Sequence, residues 1–271
     1  MWKLIKMDFY RLFSGKALKI GMIAACLVCA AYMFLSLGIV EIAKFALKED
    51  PDAADGMGMF LAQVAWINGV DFAEVVLSGT SAFALFVGCM LTANFIGSEQ
   101  SCGYVKNIAG QLPDRGYMVI SKFIVTCFFQ FVVLVIYTAV SAIFAPLFFN
   151  VTAYSISKLF AALGLRLILH FAINAIIVFI CTFTKSHAIA MVIGSIFGIG
   201  ITKFVYMIVS MLLSAIKINF DIAKYMPDGI NSQLAVDTVD TLWVKSIVIA
   251  LIFTTAFLVA NYLIVKKRDV K

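Results

Sequence analysis

Charge is scarce in this chain. Asp, Glu, Lys and Arg make up 13% of its 271 residues, against roughly 25% in a soluble domain. There are only two histidines and four prolines. Two histidines, no HExxH and no clustered acids leave little from which to build the nucleophile–base pair or metal cluster of an intramembrane enzyme. No GxxxxGK[ST] loop is present, so nothing here cradles ATP phosphates in that way. No patch of Lys and Arg interleaves with exposed aromatics, which argues against nucleic acid as a partner. No internal repeat, low-complexity tract or soluble-domain composition interrupts the sequence, and it reads as one integral domain over 1–271.

What is abundant is apolar surface: 63% of the residues are hydrophobic and the mean hydropathy is +1.03. That exceeds what a single soluble core takes up, so lipid is expected as the solvent. The length is therefore divided by the ~20 apolar residues that cross a bilayer. Six spans are expected: Ile20–Val40, Glu74–Gly97, Met118–Ala145 (stopping at Pro146), Lys158–Phe183, Ala188–Leu213 and Leu242–Val265. The first is too long for the apolar core of a signal peptide and shows no small-residue cleavage site, so it reads as a retained span. Before it, Trp2, Ile5, Phe9, Leu12 and Phe13 recur at helical spacing among Lys3, Lys6, Arg11, Lys16 and Lys19. That pattern fits a helix over 1–19 lying in the membrane interface. The fold class expected is all-α and polytopic.

Charge sign sets the orientation. The N-terminal arm, the 98–122 region, the 184–187 turn and the 266–271 tail hold 13 of the 21 basic residues and four acids, Asp8, Glu99, Asp114 and Asp269. The opposite side holds the other eleven acids. The positive-inside rule places both termini in the cytoplasm. The longer outer loop, 214–241, carries Pro227-Asp228-Gly229 as a turn and is expected to form short interfacial helices.

Cysteine gives no framework. Cys26, Cys29, Cys89, Cys127 and Cys181 lie in apolar runs, and only Cys102 does not. Cys26 and Cys29 form a CxxC at mid-membrane without a second pair or a nearby His, which fits small packing residues better than a redox or zinc site.

The most polar run of the first half is 98–122. Val105, Ile108 and Leu112 are expected to face membrane-side packing, and Glu99, Lys106, Asn107 and Gln111 the cytoplasm. Pro113-Asp114 should end the helix, and Arg115 and Lys122 mark the interface before the third span. Read by charge alone, this is a solvated connection with basic anchors. The pattern Glu99-x3-Gly103-x2-Lys106-Asn107, followed by Arg115 and Lys122 leading into a span, resembles the coupling-helix region of ABC-2-type permeases, the membrane subunits of bacterial ABC transporters. The N-terminal basic helix, the six spans and the long last outer loop resemble the same family. Within it, the style is similar to permeases of the peptide and bacteriocin export or immunity branch.

The resemblance implies a coupling helix at 98–116 seated on a separate ATPase, with Glu99, Gly103, Lys106, Asn107, Arg115 and Lys122 as coupling residues. It implies two ATPase copies carrying ATP and Mg, and a second permease chain, identical or homologous. This chain would bind no cofactor of its own and would not be an enzyme. The location implied is the bacterial cytoplasmic membrane, and the cargo an amphipathic peptide or hydrophobic compound, or alternatively a lipid or lipid-linked glycan. The second and fifth spans would line the dimer axis, where Gly194 and Gly198 form a GxxxG, extended by Gly200.

Polar residues also occur inside the spans. Arg166, His170 and Asn174 fall at i, i+4 and i+8 and so share a face; Lys203 lies in the fifth span. Intramembrane ionisable residues are candidates for a transport path. One reading makes these four a cavity or gate. The other makes them helix–helix hydrogen-bonding groups, with Arg166 and Lys203 snorkelling to the outer interface. Outside the ABC reading stand a gradient-driven transporter, for which neither repeats nor broken spans are evident, and a non-transporting immunity or sensor subunit.

Overall fold

The computed structural model describes residues 1–49, 70–101, 103, 108, 110, 112–148, 151–152, 155–184, 186–216 and 220–267. Among these the chain is almost wholly helical. In order it forms α1 (Trp2–Ser14), α2 (Lys16–Glu49), α3 (Phe72–Gly79), a π-helical turn (Thr80–Ala84), α4 (Leu85–Ser101), α5 (Tyr117–Phe148), α6 (Ile156–Thr184), α7 (His187–Ile199), α8 (Thr202–Ala215), a 3-10 turn (Ile222–Tyr225), α9 (Pro227–Gln233) and α10 (Val239–Lys267). The strand content described is one two-residue parallel pairing, β1 (Val70–Asp71) with β2 (Val151–Thr152), in register Val70↔Val151 and Asp71↔Thr152.

Four stretches are long and apolar enough to cross a membrane: Lys19–Ile42, Tyr117–Leu147, Ile156–Thr184 and Val239–Lys267. The bent pair α7 and α8 makes up to five. This is a membrane protein by those helices. The expectation of six uninterrupted spans is not met, for two physical reasons. The second expected span is a composite: the π turn separates α3 from α4, and its apolar α-helical part is only Leu85–Glu99. The fifth is broken. Gly200 takes φ +81, and its N–H bonds to Phe197 O at 3.3 Å while the Ile201 N–H bonds to Ile196 O at 3.2 Å. That paired closure in a left-handed glycine is a Schellman stop. The following helix leaves at 74°. At the third expected span, the helix runs through Pro146 to Phe148 rather than stopping before it.

The centre of the bundle is α4, which touches α2, α5, α6 and α7. The close approach to α7 depends on glycine. A Cβ at Gly198 would lie 2.4 Å from the Phe86 Cα, and one at Gly194 would lie 3.2 Å from the Cys89 Cβ. The GxxxG face is thus occupied by α4 of the same chain, not left open for a dimer axis. α10 lies outside, against α6, and exposes Trp243, Val248, Leu251, Ile252 and Val259. Such a face suits lipid, where packing rather than water exclusion holds helices together. Cys26, Cys29, Cys89, Cys127 and Cys181 are all free.

Candidate functional site

Two clusters of buried polar groups stand out, one at each end of the bundle. The first is built on α1. Asp8 and Arg11 sit one turn apart on the face that also buries Leu4, Ile5 and Leu12. Asp8 is 2% exposed, and accepts a hydrogen bond from Ser121 Oγ at 2.5 Å. Arg11 Nη1 reaches Glu99 Oε1 at 2.6 Å, lies 3.8 Å from Asp8 Oδ1, and stacks 5.1 Å from the Phe95 ring centroid. Lys122 Nζ pairs with the other Glu99 oxygen. Glu99 is 1% exposed. Two acids and two bases therefore neutralise each other where the end of α4, the start of α5 and α1 converge. Burial pushes the Asp8 carboxyl above its usual 3.8. The Ser121 hydrogen bond opposes that rise, the Glu99 charge adds to it, and Lys122 and Arg11 oppose it in turn.

This geometry corrects the placing of Glu99. The sequence expects it to face the cytoplasm; the structure gives both its oxygens to Arg11 and Lys122 within the chain. Lys122 likewise turns inward. Beyond Ser101, Gly103 has φ +67, with nothing within 4 Å of a Cβ built on it, so it is constrained by backbone conformation rather than by space. Gly110 also has open space around it and has an ordinary φ. Lys106, Asn107 and Gln111 lie outside the described residues, and so does most of the expected coupling helix. Ile108 and Leu112 do pack inward, with Leu4, Met7, Tyr117 and Met118. Arg115 is half-buried in the turn before α5.

Asp114 shapes that turn. It accepts from the Gly116 N–H at 2.8 Å and from the Tyr262 hydroxyl at 2.5 Å, with Lys266 Nζ at 3.7 Å. The Tyr262 hydrogen bond, with help from the Gly116 amide, holds this carboxyl below its usual range. The end of α10 is thereby pinned to the turn preceding α5. The sequence pattern does not single out Asp8, Ser121 or Tyr262 as site residues. The signal available was the lone acid in a basic arm.

The second cluster is centred on α6. Arg166 is 1% exposed and does not snorkel. Its guanidinium donates to Leu77 O and Thr80 Oγ1 at the junction of α3 and the π turn. It also donates to Leu234 O at 2.8 Å and Asn231 O at 3.2 Å, at the end of α9. No carboxylate partners it among these contacts. Carbonyls at helix ends carry partial negative charge, which favours a cation there. The buried charge thus joins α3, α6 and α9 through their backbones. Two turns on, Asn174 accepts from Thr92 Oγ1 at 2.8 Å and donates to Thr126 Oγ1 at 2.9 Å, which ties α4, α5 and α6. His170, between them, is fully buried, and neither ring nitrogen has a hydrogen-bond partner among the described residues.

Arg166, His170 and Asn174 share a face as expected, and all three are enclosed among the described residues. Lys203 does not join them. It stands exposed in the first turn of α8, past the break. Gly194 and Gly198 are buried against α4, as above. No group of three His, Cys, Asp or Glu side chains among the described residues is placed to hold a metal ion.

No protein-family model matches the chain, and comparison with curated proteins finds no significant match.

Proposed function

We propose that the chain is the membrane-spanning subunit of an ATP-driven exporter of the ABC-2 type, with both termini in the cytoplasm of a bacterial cell. The observation that carries this reading is the buried Asp8–Arg11–Glu99–Lys122 cluster. It flanks the 102–116 stretch on both sides and fastens α1, the end of α4 and the start of α5 into one unit. A force applied to that stretch from the cytoplasm would be passed to three membrane helices rather than absorbed by a loose loop. A separate ATPase, in two copies with ATP and Mg, would apply it, and a second permease chain would complete the cavity. Coupling would use Gly103, Lys106, Asn107 and Arg115 as the contacting positions, with Glu99 and Lys122 transmitting from behind. Arg166 is the natural gate residue at the opposite end, because its side chain ties α9 to α3 and α6. The cargo would be an amphipathic peptide or hydrophobic compound.

The test is co-purification with a Walker-motif ATPase encoded next to this gene. Gly110→Arg adds bulk and charge where a side chain has open space and no backbone strain. The expected result is loss of the complex and of ATPase stimulation, with an unchanged melting temperature. Unchanged assembly and stimulation in Gly110→Arg and Gly103→Arg together would overturn the coupling role.

The 74° break at Gly200 favours a second reading, a gradient-driven transporter, since such proteins use discontinuous helices. Proteoliposomes holding this chain alone separate the two: uptake on an ion gradient without ATPase or ATP selects the second.

A further inference from the structure

α8 is patterned differently from the other membrane helices. Lys203, Tyr206, Ser210 and Ser214 recur along one side, while Phe204, Ile208 and Leu212 stand exposed on another. The polar side faces the outer loop across an open cleft of about 510 Å³, closed on its far side by Asp221, Ser232 and Gln233. The wall is fixed in place: Tyr206 donates to Asp228 Oδ1 at 2.8 Å, and Thr202 donates to its other oxygen. Ser210 Oγ is buried in that wall and has no hydrogen-bond partner among the described residues. Lys203 forms no ion pair among the described residues, whereas Asp221 lies 3.4 Å from Lys224.

We infer that this cleft binds the headgroup of a zwitterionic phospholipid bearing a primary amine, with its acyl chains laid along the exposed Phe204–Ile208–Leu212 ridge. The chemistry is two-part. Met207, Met211 and Ala223 make much of the lining apolar, and the polar groups set into it are a cation at one position, a carboxylate at another, hydroxyls and an amide, which matches a phosphate joined to an ammonium beside hydrocarbon. The ridge on the same helix asks for hydrocarbon. From Lys203 to Ser214 the helix rises about 16 Å, room for a headgroup and its glycerol. The amine is primary rather than quaternary because the cleft offers acceptors: the Asp221 carboxylate, the Gln233 amide oxygen and the serine hydroxyls. A primary ammonium has N–H donors for these, whereas a quaternary one is held by a cage of aromatic faces. Here one ring, Tyr206, lines the cleft. The phosphate goes to Lys203, and the Ser210 hydroxyl is placed to donate to it. This inference needs only that the chain lies in lipid and is independent of how, or whether, it transports.

The test is native mass spectrometry of the full chain in detergent, with phosphatidylethanolamine, phosphatidylcholine and phosphatidylglycerol of identical chains. Retention of the ethanolamine lipid should exceed that of the choline lipid by about tenfold, the effect of one charge-assisted hydrogen bond. Asp221→Asn should abolish the preference, whereas Lys203→Ala, which removes the phosphate's partner, should lower retention of all three lipids. Ser210→Trp, which leaves both charges but fills the cleft, should abolish retention at this site. Glycerophosphoethanolamine, which lacks chains, should not displace the lipid. Equal retention of the three headgroups, a preference that survives Asp221→Asn, or retention unchanged in Lys203→Ala or Ser210→Trp overturns the inference. So does displacement of the lipid by a short amphipathic peptide or by the chainless headgroup at equal concentration.

Discussion

The two buried clusters solve the same electrostatic problem in different ways. Around Glu99, charge is cancelled by charge: two carboxylates and two cations from three helices meet near an interface. Around Arg166, charge is met by dipoles: one guanidinium is held by main-chain carbonyls from α3 and α9 and a threonine hydroxyl. An ion-pair cluster responds to protonation and to loss of any member. A carbonyl cradle has no titrating partner and responds only when the helices supplying the carbonyls move. The first is suited to holding elements together under changing load, and the second to registering whether α9 is seated.

Removing Arg166 should have the largest effect. Arg166→Leu strands buried neutral acceptors on two elements and is expected to cost about 3–5 kcal/mol, at about 1–3 kcal/mol for each acceptor left without a donor. Thermal unfolding in detergent reads it. Arg166→Lys keeps the charge but has no planar fork, and should recover less than half of the loss. Full recovery would show that charge alone matters, and the contrast between the clusters would fall. Next comes Glu99→Gln, which leaves Lys122 without its carboxylate and Arg11 with only the more distant Asp8. About 3 kcal/mol is expected, together with faster proteolysis within α1. Asn174→Leu, which breaks a neutral network between the clusters, should cost about 1–2 kcal/mol, the upper range for interhelical hydrogen bonds in lipid.

The pH response should be smaller and opposite for two carboxylates at the same end. Docking of α1 raises the Asp8 pKa above 3.8, so the protonated form is favoured when docked. Its contribution is full below 3.8 and is lost as pH rises through the docked value. Protection factors in α1, which correct for the intrinsic pH dependence of amide exchange, should rise as pH falls through the raised docked value towards 3.8, and Asp8→Asn should remove that rise. Asp114, held low by Tyr262 and Gly116, contributes above the ordinary carboxylate range and loses its contribution as pH falls through its lowered value. Tyr262→Phe should give the least effect: faster exchange at Gly116 and little change in melting temperature. An equal acid response in wild type and Asp8→Asn would remove the distinction between the titrating and non-titrating clusters.

Much of the helical architecture was readable because a bilayer imposes length and composition together: α2, α5, α6 and α10 follow from apolar runs alone. The face shared by Arg166, His170 and Asn174 followed from helical spacing. What those residues touch did not, because α9 reaches Arg166 from sixty-odd positions away and offers only backbone carbonyls, which any sequence possesses. The break at Gly200 was written in the sequence but ambiguous, since a glycine after a GxxxG serves equally as a packing residue or a left-handed stop. Glu99 misled for a related reason. A carboxylate in a polar run looks solvent-facing until Arg11, eighty-eight positions earlier, is folded against it.

The bend after α7 also bears on the bilayer itself. Thirteen helical residues rise about 20 Å, well short of the ~30 Å hydrocarbon thickness, and a helix turned by 74° recovers only about 6 Å more along an upright α7. If the bent pair crosses the bilayer as one broken span, the leaflets beside it would have to dimple inward or recruit shorter acyl chains to meet it. The protein would then deform its own surroundings, and membranes of different thickness would shift the balance of its conformations without any change in the polypeptide.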